Sequence, residues 1–263
     1  MKNEQDAAAQ YTRWAEQQLT DYRNRCPGSI FSRGLSLTVQ EGYRLQNAVS
    51  KLRIQEGDSV VGYKVGCTSP TIRTQLGIQH SVTGRLYKSE HHHSGAHLKR
   101  QAYSNLAIEG ELAVILSKTP EPSDFVEQGI PACLSTIIPV IELHNHVMHA
   151  TPPSAGELIA NNAIHAGFVA GDATQSSAWK GKSELSIMID DDCIATCKES
   201  QLIETIRTSL QWLQTSLAKT GERLQKGQII LTGSIPALIP IQQACSVEVN
   251  APPFGKVKAF FQK

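Results

Sequence analysis

Hydrophobic and polar positions alternate most clearly over residues 107–116 (AIEGELAVIL), a pattern that predicts an extended strand. Ile108, Leu112, Val114 and Leu116 fall on one side of it. Glu109, Glu111, Ala113 and Ile115 fall on the other, because strand side chains point alternately to opposite faces. At a rise of about 3.3 Å per residue the two carboxylates stand roughly 7 Å apart. A second apolar run, 136–143 (TIIPVIEL), ends in Glu142. If the two strands are neighbours, three carboxylates converge, and all-oxygen sets of that kind hold hard divalent cations. A Glu-x-Glu pair equally suits a solvated strand face, so spacing alone leaves both readings open.

Elsewhere the rhythm is helical. Ala8, Tyr11, Ala15, Leu19 and Tyr22 recur at three- and four-residue steps and predict a helix over about 3–25, ended by Cys26-Pro27-Gly28-Ser29. A second helix starts after Thr38, whose hydroxyl can cap it while Glu41 reaches back, and Glu56-Gly57-Asp58 closes it. The segment 60–66 (VVGYKVG) predicts a short strand whose Lys64 enters a pocket or faces solvent. A short helix over 70–76 and a connector reaching Gly84 follow, then an exposed loop at Glu90-His91-His92-His93 and a polar loop over 118–128. Later come a strand over 166–170, a hairpin turning at Asp190-Asp191-Asp192, and the clearest helix, 201–219, with Leu202, Ile206, Leu210, Leu213 and Leu217 on one stripe. The strand 229–231 runs into Thr232-Gly233-Ser234, a turn whose N–H groups and hydroxyl suit an anion. Segments 246–249 and 257–261 read as a terminal hairpin.

Composition narrows the function classes. A net charge of +1 gives no basic field for nucleic acid or an anionic membrane. No apolar stretch reaches the length of a membrane span, and the polar opening MKNEQDAAAQ lacks a signal-peptide core, so a cytoplasmic protein is expected. The six cysteines include no Cys-x-x-Cys pair, which suits free thiols in a reducing compartment. Helical patterning ends near residue 58, so the chain divides into a helical N-terminal part, 1–58, and a strand-rich part, 59–263. Beside Glu142 stand His144 and His146, with His149 and Thr151-Pro152-Pro153-Ser154 just beyond. These histidines are open to three readings: ligand, acid/base group, or local hydrogen bonding.

In chain order, LTVQEGYRLQNAV, VVGYKVGCTS, QLGI, IEGELAVIL, PVIEL, AKTGERLQKGQIILTGS and FGKVKAFF together resemble the 2-oxopent-4-enoate hydratase / 4-oxalocrotonate decarboxylase group of the fumarylacetoacetate hydrolase superfamily. The resemblance implies an α+β, mostly β fold: a distorted roll of mixed sheets with flanking helices. It implies Mg²⁺ or Mn²⁺ held by Glu109, Glu111 and Glu142, with Lys64 as the catalytic lysine. The implied activity is a lyase, hydratase or decarboxylase, acting on a small 2-oxo acid through a metal-stabilised enolate, with Lys64 neutral part of the time so that it can shuttle a proton. Thr232, Gly233, Ser234, Ile164 and Val82 are the expected substrate-binding positions, and a homo-oligomer, or a complex with a related subunit, is the expected assembly.

The chain departs from the family pattern at Val82, at Ala107, at Asn145-His146-Val147, and at Ile164-His165. Charged or hydroxylic pocket groups are lost there while the acids and the lysine are kept. That combination suggests an enolising site turned to a different substrate, with a cyclase, isomerase or dehydratase, or a noncatalytic partner subunit, as alternatives. At least one of the catalytic candidates His144, His146 and His165 is expected to face the metal pocket and to stand in for the lost proton-handling groups.

Overall fold

Glycine at position 110 determines how closely the two sheets of this protein can approach. The computed structural model describes residues 2–125, 129–150 and 153–263, so parts of the 118–128 loop and of the 151–154 segment lie outside the described residues. The chain opens with helices α1 (Lys2–Arg23), α2 (Ser29–Ser32) and α3 (Val39–Gln55), whose Ala15, Ile30, Phe31, Leu37 and Leu45 form one apolar cluster with Ala160. The capping box at α3 forms as its sequence predicts: Glu41 N–H donates to the Thr38 hydroxyl at 3.3 Å, and Thr38 N–H donates to the Glu41 carboxylate at 2.8 Å. Then follow β1 (Val60–Gly66), α4 (Pro70–Gln75), β2 (Val82–Tyr87), β3 (His91–His93), β4 (Ala96–Lys99), β5 (Leu106–Leu116) and β6 (Leu134–Asn145). Helix α5 (Ala155–Ala160) leads to β7 (His165–Ala170), β8 (Thr174–Gln175), β9 (Glu184–Ile189), β10 (Asp192–Lys198) and the long α6 (Glu199–Ala218). The chain ends in β11 (Ile229–Leu231), β12 (Ile239–Pro240), β13 (Cys245–Asn250) and β14 (Lys256–Gln262).

One sheet runs β2-β1-β11-β5-β6-β7-β3, with β12 beside β5 and β8 beside β6; the other runs β10-β9-β13-β14-β4. Both are mixed: β1–β11, β3–β7 and β14–β4 pair in parallel and their neighbours antiparallel. The fold is therefore α+β and mostly sheet, as the resemblance implies. The main core lies between the sheets and under α6, where Ile108, Leu112, Val114 and Leu116 meet Ile187, Val247, Val249, Ile206 and Leu210. A Cβ on Gly110 would lie 2.7 Å from Ile187 Cδ1 and 2.9 Å from Val249 Cγ2, so only glycine lets β5 seat here. Glu109 and Glu111 flank that glycine and point to the other face.

Three local expectations are revised. The connector does not run to Gly84: β2 starts at Val82, and Gly84 sits inside the strand because a Cβ there would come within 2.6 Å of the Asn162 carbonyl oxygen. The His91–His93 run is not a loop but an edge strand parallel to β7, with the His91 ring stacked on Phe168 at 4.5 Å. The turn after the first helix holds the short α2. Among the described residues no helix is long and apolar enough to cross a membrane, and the six cysteines are free.

Candidate metal centre

Strand register builds the centre. β5 and β6 pair antiparallel with Glu109 directly opposite Glu142, while Glu111 lies two residues further along the same face. Lys64 arrives from β1, and its Nζ stands 3.2 Å from Glu142 Oε1, with side-chain exposures of 4% and 0%. Its shaft passes beside Gly84 and Gly66, where a Cβ would stand 3.1 Å from Lys64 Cγ and 3.2 Å from Nζ respectively. Gly84 and Gly66 thus leave the lysine its channel.

The charges of this cluster are interdependent. Burial pushes the Glu111 carboxyl well above the usual range, and Glu142 and Glu109 push it the same way. Burial would also raise Glu142, but Lys64, His144 and His165 overcome it and hold that carboxyl well below the ordinary value. For Lys64 burial favours the neutral amine, yet Glu142, Glu109 and Glu111 outweigh it and its pKa is raised. The expected partly neutral lysine is therefore not what the protein's own charges produce; they hold an ammonium.

Two of the three nominated histidines reach the centre. His165 Nδ1 lies 2.7 Å from Glu142 Oε1, and its Nε2 has no hydrogen-bond partner among the described residues. His144, opposite His165 across the β6–β7 ladder, places Nε2 at 3.2 Å from Glu109 Oε2 and 3.7 Å from Glu142 Oε2. His146 is exposed; its backbone exchanges hydrogen bonds with Asn105, and it stands apart from the cluster. The approach to His165 is an unusual turn: Asn162, Ala163 and Ile164 all have positive φ, at 55°, 51° and 56°. A β-branched residue in that region is strained. Asn162 secures the turn against β2, accepting from Arg85 N–H at 2.7 Å and donating to the Arg85 carbonyl at 2.8 Å.

The backbone of the Thr232-Gly233-Ser234 turn meets a carboxyl group of the chain itself, that of Glu111. Gly233 N–H donates to Glu111 Oε2 at 2.7 Å, the Thr232 hydroxyl donates to the Leu112 carbonyl at 2.7 Å, and the Ser234 hydroxyl donates to the Pro236 carbonyl at 2.9 Å. These groups position Glu111 and the strand end. Val82 and Ile164 join Leu158, Ile159, Ala163, Cys67, Leu76, Ile78 and Met148 in an apolar wall, and a Cβ on Gly66 would lie 3.4 Å from Val82 Cγ2, beside Lys64. Sequence reasoning missed Gly233 as the partner of Glu111 and Cys67 as a wall residue. The thiol of Cys67, half-buried and with its pKa raised by desolvation, is close enough to Lys64 and Glu109 to feel both charges.

The donor set fits a divalent cation. Glu109, Glu142 and His144 each offer one ligand atom within 4.8 Å of the others. Glu111 Oε1, Glu142 Oε2 and both ring nitrogens of His144 are buried without a hydrogen-bond partner among the described residues. Such orphaned groups, set among carboxylates, are what a bound cation satisfies.

No family model matches the chain. It is 22% identical over 243 residues to the 2-keto-4-pentenoate hydratase of Burkholderia vietnamiensis, covering 91% of this chain and 89% of that protein. The 4-oxalocrotonate decarboxylase of Pseudomonas putida G7, solved with magnesium and adipate, superposes with a TM-score of 0.85 at 20% identity, over 97% of this chain and 98% of that one. Fumarylpyruvate hydrolase of Pseudomonas aeruginosa, solved with Mn²⁺ and pyruvate, gives a TM-score of 0.59 at 12% identity, over 76% and 88%. The chain therefore shares the mixed-sheet fold of these two solved proteins. In sequence the chain is similar, at 22–23% identity, to proteins named 2-keto-4-pentenoate hydratase and 4-oxalocrotonate decarboxylase.

Proposed function

We propose that the chain is a divalent-metal-dependent lyase acting on a small 2-oxo acid, of the hydratase or decarboxylase type, in the cytoplasm. The observation that carries this reading is the buried Lys64–Glu142 pair beside Glu109, with unpartnered donor atoms of Glu142 and His144 facing it. Glu109, Glu142 and Glu111 would hold the cation. When bound, it supplies positive charge to the carboxylate and 2-oxo oxygens of the substrate and so acidifies the adjacent carbon. Lys64 carries a proton at Nζ, held there by Glu142, and is the group placed to deliver it to substrate carbon. Glu142 Oε1 faces both Lys64 Nζ at 3.2 Å and His165 Nδ1 at 2.7 Å, so it fixes the position of the ammonium and of the ring together. The apolar wall of Val82, Ile164 and Cys67 excludes water around Lys64 and strengthens each of these charge interactions.

On this reading residues 59–263 do the chemistry and the helical part, 1–58, fastens it. Gln46 Nε2 donates to the Thr83 and Ile159 carbonyls at 2.9 and 3.0 Å, and Gln18 Nε2 donates to the Ala160 carbonyl at 3.2 Å. These bonds steady the segment that leads to His165. Assembly as a homo-oligomer follows from the resemblance alone. The test is turnover of 2-hydroxypenta-2,4-dienoate and of a 4-oxalocrotonate-type acid by purified protein loaded with Mg²⁺ or Mn²⁺, followed by loss of the conjugated absorbance. Turnover of one supports the proposal. Absence of turnover of both, with the cation shown to be bound, refutes it.

A further inference from the structure

His144 is the residue in the centre that a carboxylate site does not require. It is 1% exposed, and neither ring nitrogen has a hydrogen-bond partner among the described residues. A buried imidazole left unpaired forfeits hydrogen-bond energy that water would have supplied, so its position calls for a partner. Its Nε2 stands at 3.2 Å from Glu109 Oε2 and 3.7 Å from Glu142 Oε2, within ion-pair reach but not aligned for a hydrogen bond to either. Neighbouring donors around one ion with bonds of about 2.1 Å sit roughly 3 Å apart, so these three atoms have nearly the spacing of adjacent ligands. Ala107, opposite His144 across the ladder and wholly buried, contributes no bulk that would turn the ring away.

His165 is a useful contrast. It lies on the neighbouring strand but spends Nδ1 on Glu142 Oε1, the oxygen that also faces Lys64. Glu142 thus has one oxygen faced by both Lys64 and His165, and the other, Oε2, lies on the side of His144 without a hydrogen-bond partner among the described residues. Glu111, for its part, accepts from Gly233 N–H at Oε2, which leaves Oε1 as its one oxygen without a partner among the described residues.

We infer that His144 is a nitrogen ligand of the divalent ion, completing a donor set with Glu109 and Glu142, and that this imidazole makes the site prefer Mn²⁺ or Co²⁺ to Mg²⁺. The inference rests on the metal-dependent reading above. Imidazole suits the first-row transition ions, whereas Mg²⁺ takes oxygen donors and water.

The experiment uses the full chain, stripped of metal and titrated calorimetrically with Mg²⁺, Mn²⁺ and Co²⁺ in turn. Pulsed electron paramagnetic resonance of the Mn²⁺-loaded parent reads directly bound nitrogen and needs neither turnover nor a variant. The expected result is a nitrogen coupling that changes with isotopic labelling of histidine and vanishes in His144→Leu and His144→Gln. Those variants should lose about 100-fold or more in Mn²⁺ and Co²⁺ affinity, at or beyond the upper end for disturbing a ligand's support, with Mg²⁺ affinity changed by no more than about threefold. An ion that binds the parent without nitrogen coupling, or with equal preference for Mg²⁺, overturns the inference and leaves the lyase reading standing. A parent that binds no divalent ion overturns both.

Discussion

The two faces of β5 are built from consecutive residues and obey opposite rules. On one, Ile108, Gly110, Leu112 and Val114 press against the second sheet, and the one small residue there exists so that the sheets can meet. On the other, Glu109 and Glu111 face Glu142, Lys64 and His144, with buried atoms that have no hydrogen-bond partner among the described residues. The core face is optimised for contact, and its every substitution costs stability. The pocket face carries unmet polar groups that cost stability, and its substitutions are read in binding and turnover. A strand period of two keeps these regimes one residue apart without mixing them.

The largest expected effect lies on the pocket face. Lys64→Ala should lower turnover of whichever 2-oxo acid is accepted by about 10²–10⁴, the usual loss for a positioned acid/base group. Without cation the variant should also melt lower, because Glu142 loses the ammonium that compensates its burial, and saturating Mn²⁺ should recover much of that stability but not the turnover. Turnover restored along with stability by the cation would show that the lysine is a structural counter-charge and not an acid/base group. On the core face the expectation inverts: Leu112→Ala should destabilise by about 2–5 kcal/mol, and Gly110→Val by roughly 1–3 kcal/mol through overpacking against Ile187 and Val249. Denaturant titration measures both, and cation affinity per folded molecule should be unchanged.

Glu111→Gln sharpens the contrast, because here the two faces predict opposite signs in one molecule. The folded protein holds the Glu111 carboxyl well above its ordinary pKa, chiefly by burial. The folded state therefore binds its proton more tightly than the unfolded state does. Stability is present below the unfolded value of about 4.3 and declines as pH rises through the window up to the folded value. Glutamine keeps an oxygen for Gly233 N–H but cannot ionise, so the variant should be the more stable protein without added cation, increasingly so as pH rises. Added Mn²⁺ should then raise its melting temperature less than the parent's. A variant less stable than the parent at neutral pH would show that burial is not what raises this carboxyl.

Much of this contrast was legible in the sequence. The alternation over 107–116 separates the core face from the acidic face, and Thr38 with Glu41 marks the start of α3. Local pattern carries such information because strand and helix periods are local properties. The register that sets Glu109 opposite Glu142 is not local; it depends on which strands pair and by how many residues. The same holds for Gly233 serving Glu111, more than a hundred residues away, and for the left-handed turn at Asn162–Ile164, which holds only because Asn162 finds the backbone of Arg85.

The smallest expected effect concerns histidines that adjacency makes conspicuous. His91, His92 and His93 lie side by side in the chain, yet on an edge strand consecutive side chains point to opposite faces and cannot share an ion. His144 and His165 stand about twenty residues apart and converge, because β6 and β7 place them opposite each other. His146, only two residues from His144, is carried out to the surface where β6 has ended. Exposed substitutions that leave packing and buried hydrogen bonds alone generally stay within about 0.5 kcal/mol. His93→Gln and His146→Gln should therefore leave unfolding free energy within that margin, with cation affinity and turnover equal to the parent's. A tenfold loss of cation affinity in His146→Gln would mean that the segment beyond β6 folds back over Glu142, and that the surface and pocket assignments of His146 and His144 must be exchanged.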